Sequence, residues 1–213
     1  MIIEVCAESY EYAVKAEKAG ADRIELCKDL HLDGLTPDYE SAKRTIDTLD
    51  IPVFILIRPR ESDFIYSNEE FELMKQDILK FKEMGCKGIV SGVLNSDNSI
   101  DIKRTKELIE LSKPLEFTFH RAFDLINNQY LEIKNLCRIK AHRVLTSGNA
   151  KNALNGLDSL IKLQRLVKND IKIIPGGSLS MKDIKLFERK GFKEIHGSFK
   201  KDLIKSHKNF KIL

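Results

Sequence analysis

Eight short runs rich in β-branched and aromatic residues recur along the 213-residue chain, each followed by a longer amphipathic stretch. The runs fall at residues 2–6, 23–27, 53–57, 88–91, 116–119, 143–146, 172–174 and 194–196 and are predicted to be strands. Between them, apolar residues are spaced three and four apart. In the third unit Phe71, Met74, Ile78 and Phe81, with Lys82 beside them, share one helical stripe. Helix starts are expected at Ser9, at Asn68, and at Ser180 with Asp183 three residues on. Gly20, Gly85 and Gly191 are placed to end helices.

A helix between successive strands returns the chain to its starting edge, so the strands must pair in parallel. The units average about 27 residues, the length of a compact βα module. An open doubly wound sheet is the alternative, and it places a glycine-rich fingerprint after its first strand. Here Cys6-Ala7-Glu8-Ser9-Tyr10 stands there instead. The expected fold is therefore a single (β/α)8 TIM barrel over residues 1–213. Only residues 197–213 remain for the eighth helix, which is expected to be short or displaced.

The remaining features narrow the class. A length of 213 residues can bury a full core, and 42% hydrophobic with 32% charged residues describes a soluble globular chain. The opening Met1-Ile2-Ile3-Glu4-Val5-Cys6 lacks the basic start of a leader, and no apolar run is long enough for a membrane span. A cytoplasmic location is expected. The 36 basic and 32 acidic side chains are interspersed, which gives no footprint for nucleic acid. Lys200, Lys201, Lys205, Lys208 and Lys211 in the tail read as the solvated face of a terminal helix. Four cysteines without a paired Cys-x-x-Cys spacing predict neither structural disulfides nor a structural zinc site.

Barrel chemistry gathers where strands end, so those positions carry the functional reading. The first two strands share a pattern, Glu4-Val5-Cys6 and Glu25-Leu26-Cys27. Residues two apart on a strand face one side, and neighbouring strands lie about 4.8 Å apart, so two inward thiols at matching heights would hold a soft ion such as Cu(I). Free cysteines also pack as small hydrophobes, the role expected for Cys86 and Cys137.

Arg58 and Arg60 place planar guanidiniums at the third strand exit, suited to carboxylate or phosphate. Arg58 could equally settle Glu25 or Glu4 by an internal ion pair. His120, with Asp124 four residues later, and Glu25 are candidates to move a proton, with His196 a second histidine for the same work. The turns Thr146-Ser147-Gly148, Gly176-Gly177-Ser178 and Gly197-Ser198 would expose N–H groups to an anion, or simply permit tight turns.

Ordered matches then accumulate: Glu4-Val5-Cys6, residues 19–27, Gly34-Leu35-Thr36-Pro37, Ile57-Arg58-Pro59-Arg60, Asp63-Phe64, residues 118–124, residues 144–148 and Pro175-Gly176-Gly177. On these segments, which reach to about Ser198, the chain resembles the CutC family. The resemblance implies a cytoplasmic, self-associating TIM barrel, a homodimer in the simplest case, linked to copper handling, with Cys6 and Cys27 as Cu(I) ligands. Family members tend to read Thr-Ser-Gly-Gly and Pro-Gly-Gly-Gly where this chain has Asn149 and Ser178.

Two functional expectations follow. One is a copper-handling protein, with Cys6 and Cys27 as metal ligands beside Glu4 and Glu25. The other is an enzyme for a small anionic substrate held by Arg58, Arg60, Ser147, Gly148, Gly176 and Gly177, with His120, Glu25 and Asp124 catalytic. A scaffold without chemistry would not need so polar a ring of strand ends.

Overall fold

In the computed structural model, which describes residues 1–200 and 202, the predicted alternation is realised throughout. The strands are β1 (Ile2–Ala7), β2 (Arg23–Leu26), β3 (Val53–Leu56), β4 (Gly88–Ser91), β5 (Glu116–Phe119), β6 (Arg143–Thr146), β7 (Lys172–Pro175) and β8 (Glu194–Gly197). Between them run α1 (Tyr10–Lys18), α2 (Tyr39–Thr48), α3 (Asn68–Glu83), α4 (Ile102–Ser112), α5 (Gln129–Arg138), α6 (Leu157–Val167) and α7 (Ile184–Arg189). Hydrogen-bonded neighbours follow the order β7-β6-β5-β4-β3-β2-β1-β8, and every pairing is parallel. The eight strands form a nearly closed TIM barrel, with a seam between β7 and β8 where no hydrogen-bonded register joins the described residues. The expected eighth helix and most of the basic tail lie outside the described residues. Among the described residues no helix is long and apolar enough to cross a membrane.

Local chemistry explains most boundaries. Ser9 caps α1 by accepting from the Tyr12 N–H. At α3 the cap is Ser67, one residue before the expected Asn68. Its side chain accepts from the Glu70 N–H while Glu70 accepts from the Ser67 N–H, so a full capping box outweighs a lone asparagine. Gly20, Gly85 and Gly191 end α1, α3 and α7 at φ of 93°, 93° and 88°, backbone that suits glycine.

Strand alternation divides the interior in two. Val5, Ile24, Ile55, Phe117 and Ile195 face outward and join the large core beneath the helices. The intervening residues face the barrel axis, where Cys6, Cys27, Phe54, Leu56 and Val90 make a smaller apolar cluster. Below that cluster, at the N-terminal ends of the strands, the axis is filled by charge. Arg23 donates Nε to Glu4 at 2.5 Å and Nη2 to Glu194. Arg143 donates Nε to the same Glu194 oxygen at 2.9 Å and Nη2 to Glu116 at 2.6 Å. Both guanidiniums sit over the Phe54 ring, 4.7 and 5.2 Å from its centroid.

Arg23, Glu4, Glu194 and Arg143 are all buried, so each depends on its partners for the solvation it has lost. Replacing Arg23 with Met strips Glu4 of its guanidinium and Glu194 of one of two. A loss of about 3–5 kcal/mol is expected, read as a lower midpoint in urea unfolding followed by circular dichroism.

Candidate functional site at the barrel mouth

The thiol pair arises from the β1–β2 register. Cys6 lies level with Glu25, and the Cys27 N–H donates to the Ala7 carbonyl at 3.0 Å. The two thiols are therefore not at matching heights, because Cys27 stands one inward step above Glu25. Their sulfurs meet on the diagonal instead, 3.6 Å apart. Cys6 Sγ lies 3.7 Å from Glu25 Oε1, and Cys27 Sγ lies 3.6 Å from the Ala7 carbonyl. Gly34, at φ 84°, packs over this corner; a Cβ there would sit 3.0 Å from the Leu56 side chain and 3.4 Å from Cys27 Cβ.

The third wall comes from β8. The pairing of Glu4 with His196 sets His196 Nδ1 2.7 Å from Glu4 Oε1 and 3.9 Å from Glu25 Oε2. Cys6, Glu25 and His196 each offer a ligand atom within 4.8 Å of the others. Glu25 Oε2 is buried and accepts no hydrogen bond. Burial, with Glu4 nearby adding to it, pushes the Glu25 carboxyl up to about 7. Glu4 behaves oppositely: burial would raise it, yet the charges of Arg23 and His196 hold it at about 2. The hydrogen bond to Cys27, and then burial, push the Cys6 thiol up.

Cys6, Glu25 and His196 line a cavity of about 570 Å³ together with Arg58, Phe64, His120, Arg121, Asp124, Gly177 and Ser178. Arg58 continues the inward face of Phe54 and Leu56 and is buried. It does not neutralise Glu25 or Glu4: Nη1 donates to the Leu32 and Gly34 carbonyls and Nη2 to the Ser62 carbonyl. Arg60 is spent on Asp63 and Glu70, at 3.0 and 2.6 Å, and is not among the lining residues.

The paired roles expected for His120 and Asp124 are separated. Asp124 fills the sixth turn, accepting from the Thr146 hydroxyl at 2.5 Å, the Ser147 N–H at 3.0 Å and the Asn149 N–H at 3.3 Å. Arg121 Nε donates to its other oxygen at 2.9 Å. The turn through Ser147 and Gly148 is thus an anion cradle whose anion belongs to the chain itself. Gly148 is further closed in by the Gly156 carbonyl, 2.7 Å from where a Cβ would stand. Gly176 packs under Leu145, while Gly177 and Ser178, both at positive φ, border the cavity.

Sequence reading listed Glu4 and His196 without pairing them, and missed Arg23, Arg143 and Glu194 altogether. A usable signal was present: each of these three charges opens a strand and is followed at once by a β-branched apolar residue, Ile24, Val144 or Ile195. Leu30, Asp33, Ser62 and Phe64 reach the cavity from loops, where periodicity carries no information.

Residues 1–201 match the model of the CutC family. The chain is 41% identical over 196 residues to the family protein CutC of Photorhabdus laumondii, covering 92% of this chain and 79% of that one. It is 40% identical over 198 residues to the copper homeostasis protein cutC homolog of Homo sapiens, covering 92% and 72%. Among solved structures, the CutC protein of Streptococcus agalactiae superposes with a TM-score of 0.87 at 30% identity, covering 93% and 98% of the two chains. An aldolase, QR15, superposes with a TM-score of 0.71 at 14% identity over 97% of each chain, a likeness of fold.

His120 offers a test of how dry this mouth is. Its Nδ1 accepts from the Ala122 N–H at 3.3 Å, and burial, reinforced by the Arg58 charge, pulls its pKa down to about 3. The unfolded chain takes up a proton below pH about 6.5 that the folded chain refuses. Wild type should therefore lose stability relative to His120→Gln by about 1.4 kcal/mol per pH unit as pH falls from 6.5 towards 4. Comparing the two proteins cancels Glu25 and His196, whose raised pKa values act in the opposite sense. Parallel curves in urea titrations across this range would show that water reaches the ring.

Proposed function

The chain belongs to the CutC family, and from that membership and the geometry of its thiol pair we propose that it serves copper homeostasis in the cytoplasm by holding a Cu(I) ion between Cys6 and Cys27. The observation that carries the reading is the 3.6 Å separation of two buried sulfurs on neighbouring strands. Two thiols this close could share one soft ion once their protons are displaced. Soft sulfur with few competing hard ligands suits Cu(I) over magnesium or calcium.

The surroundings support this assignment. Glu25 keeps one oxygen unpartnered beside the sulfurs, and His196 is held by Glu4 through Nδ1, the arrangement that orients a ligating imidazole. Phe54, Leu56 and Val90 cluster with the two thiols and give them an apolar surround. The name of the human relative, a copper homeostasis protein cutC homolog, points to the same metal.

Binding must displace the thiol protons, because the thiolate is the ligand. An anaerobic competition titration against a chromophoric Cu(I) chelator tests the reading. Cys6→Ser/Cys27→Ser is expected to lose at least about a hundredfold in affinity. Equal affinity in wild type and the double variant would reject it.

A further inference from the structure

A single ion accounts for one corner of the cavity. The volume of about 570 Å³ is that of a small-molecule site, and its far wall is built from groups the thiols do not use. Arg58 is 5% exposed, and among the described residues it forms no ion pair. Its hydrogen bonds run to three neutral carbonyls, of Leu32 at 2.7 Å, Gly34 at 2.9 Å and Ser62 at 3.2 Å, and Nε has no acceptor. A guanidinium cannot shed its proton, so a whole positive charge is buried there with no ion-pair partner among the described residues, although Glu25, Asp33 and Asp124 line the same cavity.

His120 shares this wall. Phe64 lies between the two groups, its ring 4.7 Å from the imidazole centroid and 5.0 Å from Arg58 Cζ. Because His120 Nδ1 accepts from the Ala122 N–H, the ring proton of the neutral imidazole resides on Nε2. That nitrogen is buried and has no partner. Two buried donors without acceptors, on residues lining one cavity, make a demand that an oxyanion would satisfy. Arg121 also lines the cavity, but its charge is met by Asp124, another lining residue.

We propose that the cavity is a binding site for a small organic oxyanion, a metabolite bearing a carboxylate or phosphate group that is received by Arg58 and His120. The anionic group would settle the buried guanidinium, and the rest of the molecule would extend across the volume towards Cys6 and Glu25. This site is independent of copper, and a metal-free preparation tests it alone.

Isothermal titration of metal-free full-length protein with pyruvate and malonate, and separately with inorganic phosphate and glycerol 3-phosphate, identifies the class. Uncharged glycerol is the control. Saturable binding is expected for at least one anion class and not for glycerol. Arg58→Lys, which keeps the charge and loses the planar fork, should weaken it at least about tenfold. Because Arg58 also clasps loop carbonyls, His120→Phe provides a second variant that keeps a ring against Phe64 and removes the Nε2 donor. It should weaken the same ligand at least about fivefold with an unchanged circular dichroism spectrum. Failure of both anion classes to saturate, equal binding of glycerol, or binding undiminished in both variants would overturn the proposal.

Discussion

Two guanidiniums and two carboxylates share the barrel axis between Glu4, Arg23, Arg143 and Glu194, and the placement of everything above them depends on that layer. An apolar floor of equal volume would hold the strands together about as well, but it would not distinguish one register from the next. Slipping a strand by one residue would send its charge into the outer core and bring an apolar side chain inward. Through Arg143 and Glu194 the layer also spans β6 and β8, on either side of β7 and its open seam. It gives the unclosed side of the barrel a fixed relation to the closed one.

The same registration reaches the mouth in short steps. Arg23 fixes one oxygen of Glu4; the other oxygen fixes His196; His196 stands beside Glu25, which lies level with Cys6. Glu25, Cys6 and His196 therefore collect on β1, β2 and β8. After β3 and β5, Arg58 and His120 continue inward-facing rows, with Arg121 and Asp124 paired beside them. The two halves do not neutralise each other, because Arg58 is clasped by the carbonyls of the loop after β2 and by Ser62.

Much of this was legible before any coordinates. The strands were readable because short β-branched and aromatic runs alternate with longer helix-period stretches, and three of the eight boundaries match to the residue, at β4, β5 and β6. The Glu-x-Cys repeat correctly placed two thiols on one inward surface of adjacent strands. Their relative height was not legible, since register in parallel sheets is set by helices and the loops before each strand. Asp124 shows a different limit: four residues from His120 in sequence, it turns to the sixth turn because several N–H and O–H donors converge there. Spacing records reach along the chain and is silent about better-solvated destinations across it. The buried fate of Arg58 was likewise hidden, because its partners are backbone carbonyls, which every sequence contains.

Cys6 borders the cavity, whereas Cys27 lies behind it under Gly34 and Leu56. The pair accordingly has a front and a back. A visitor arriving from the open end encounters one sulfur first and reaches the second only by advancing past it. For an ion entering from that end, Cys6 would be the first ligand offered and Cys27 the second.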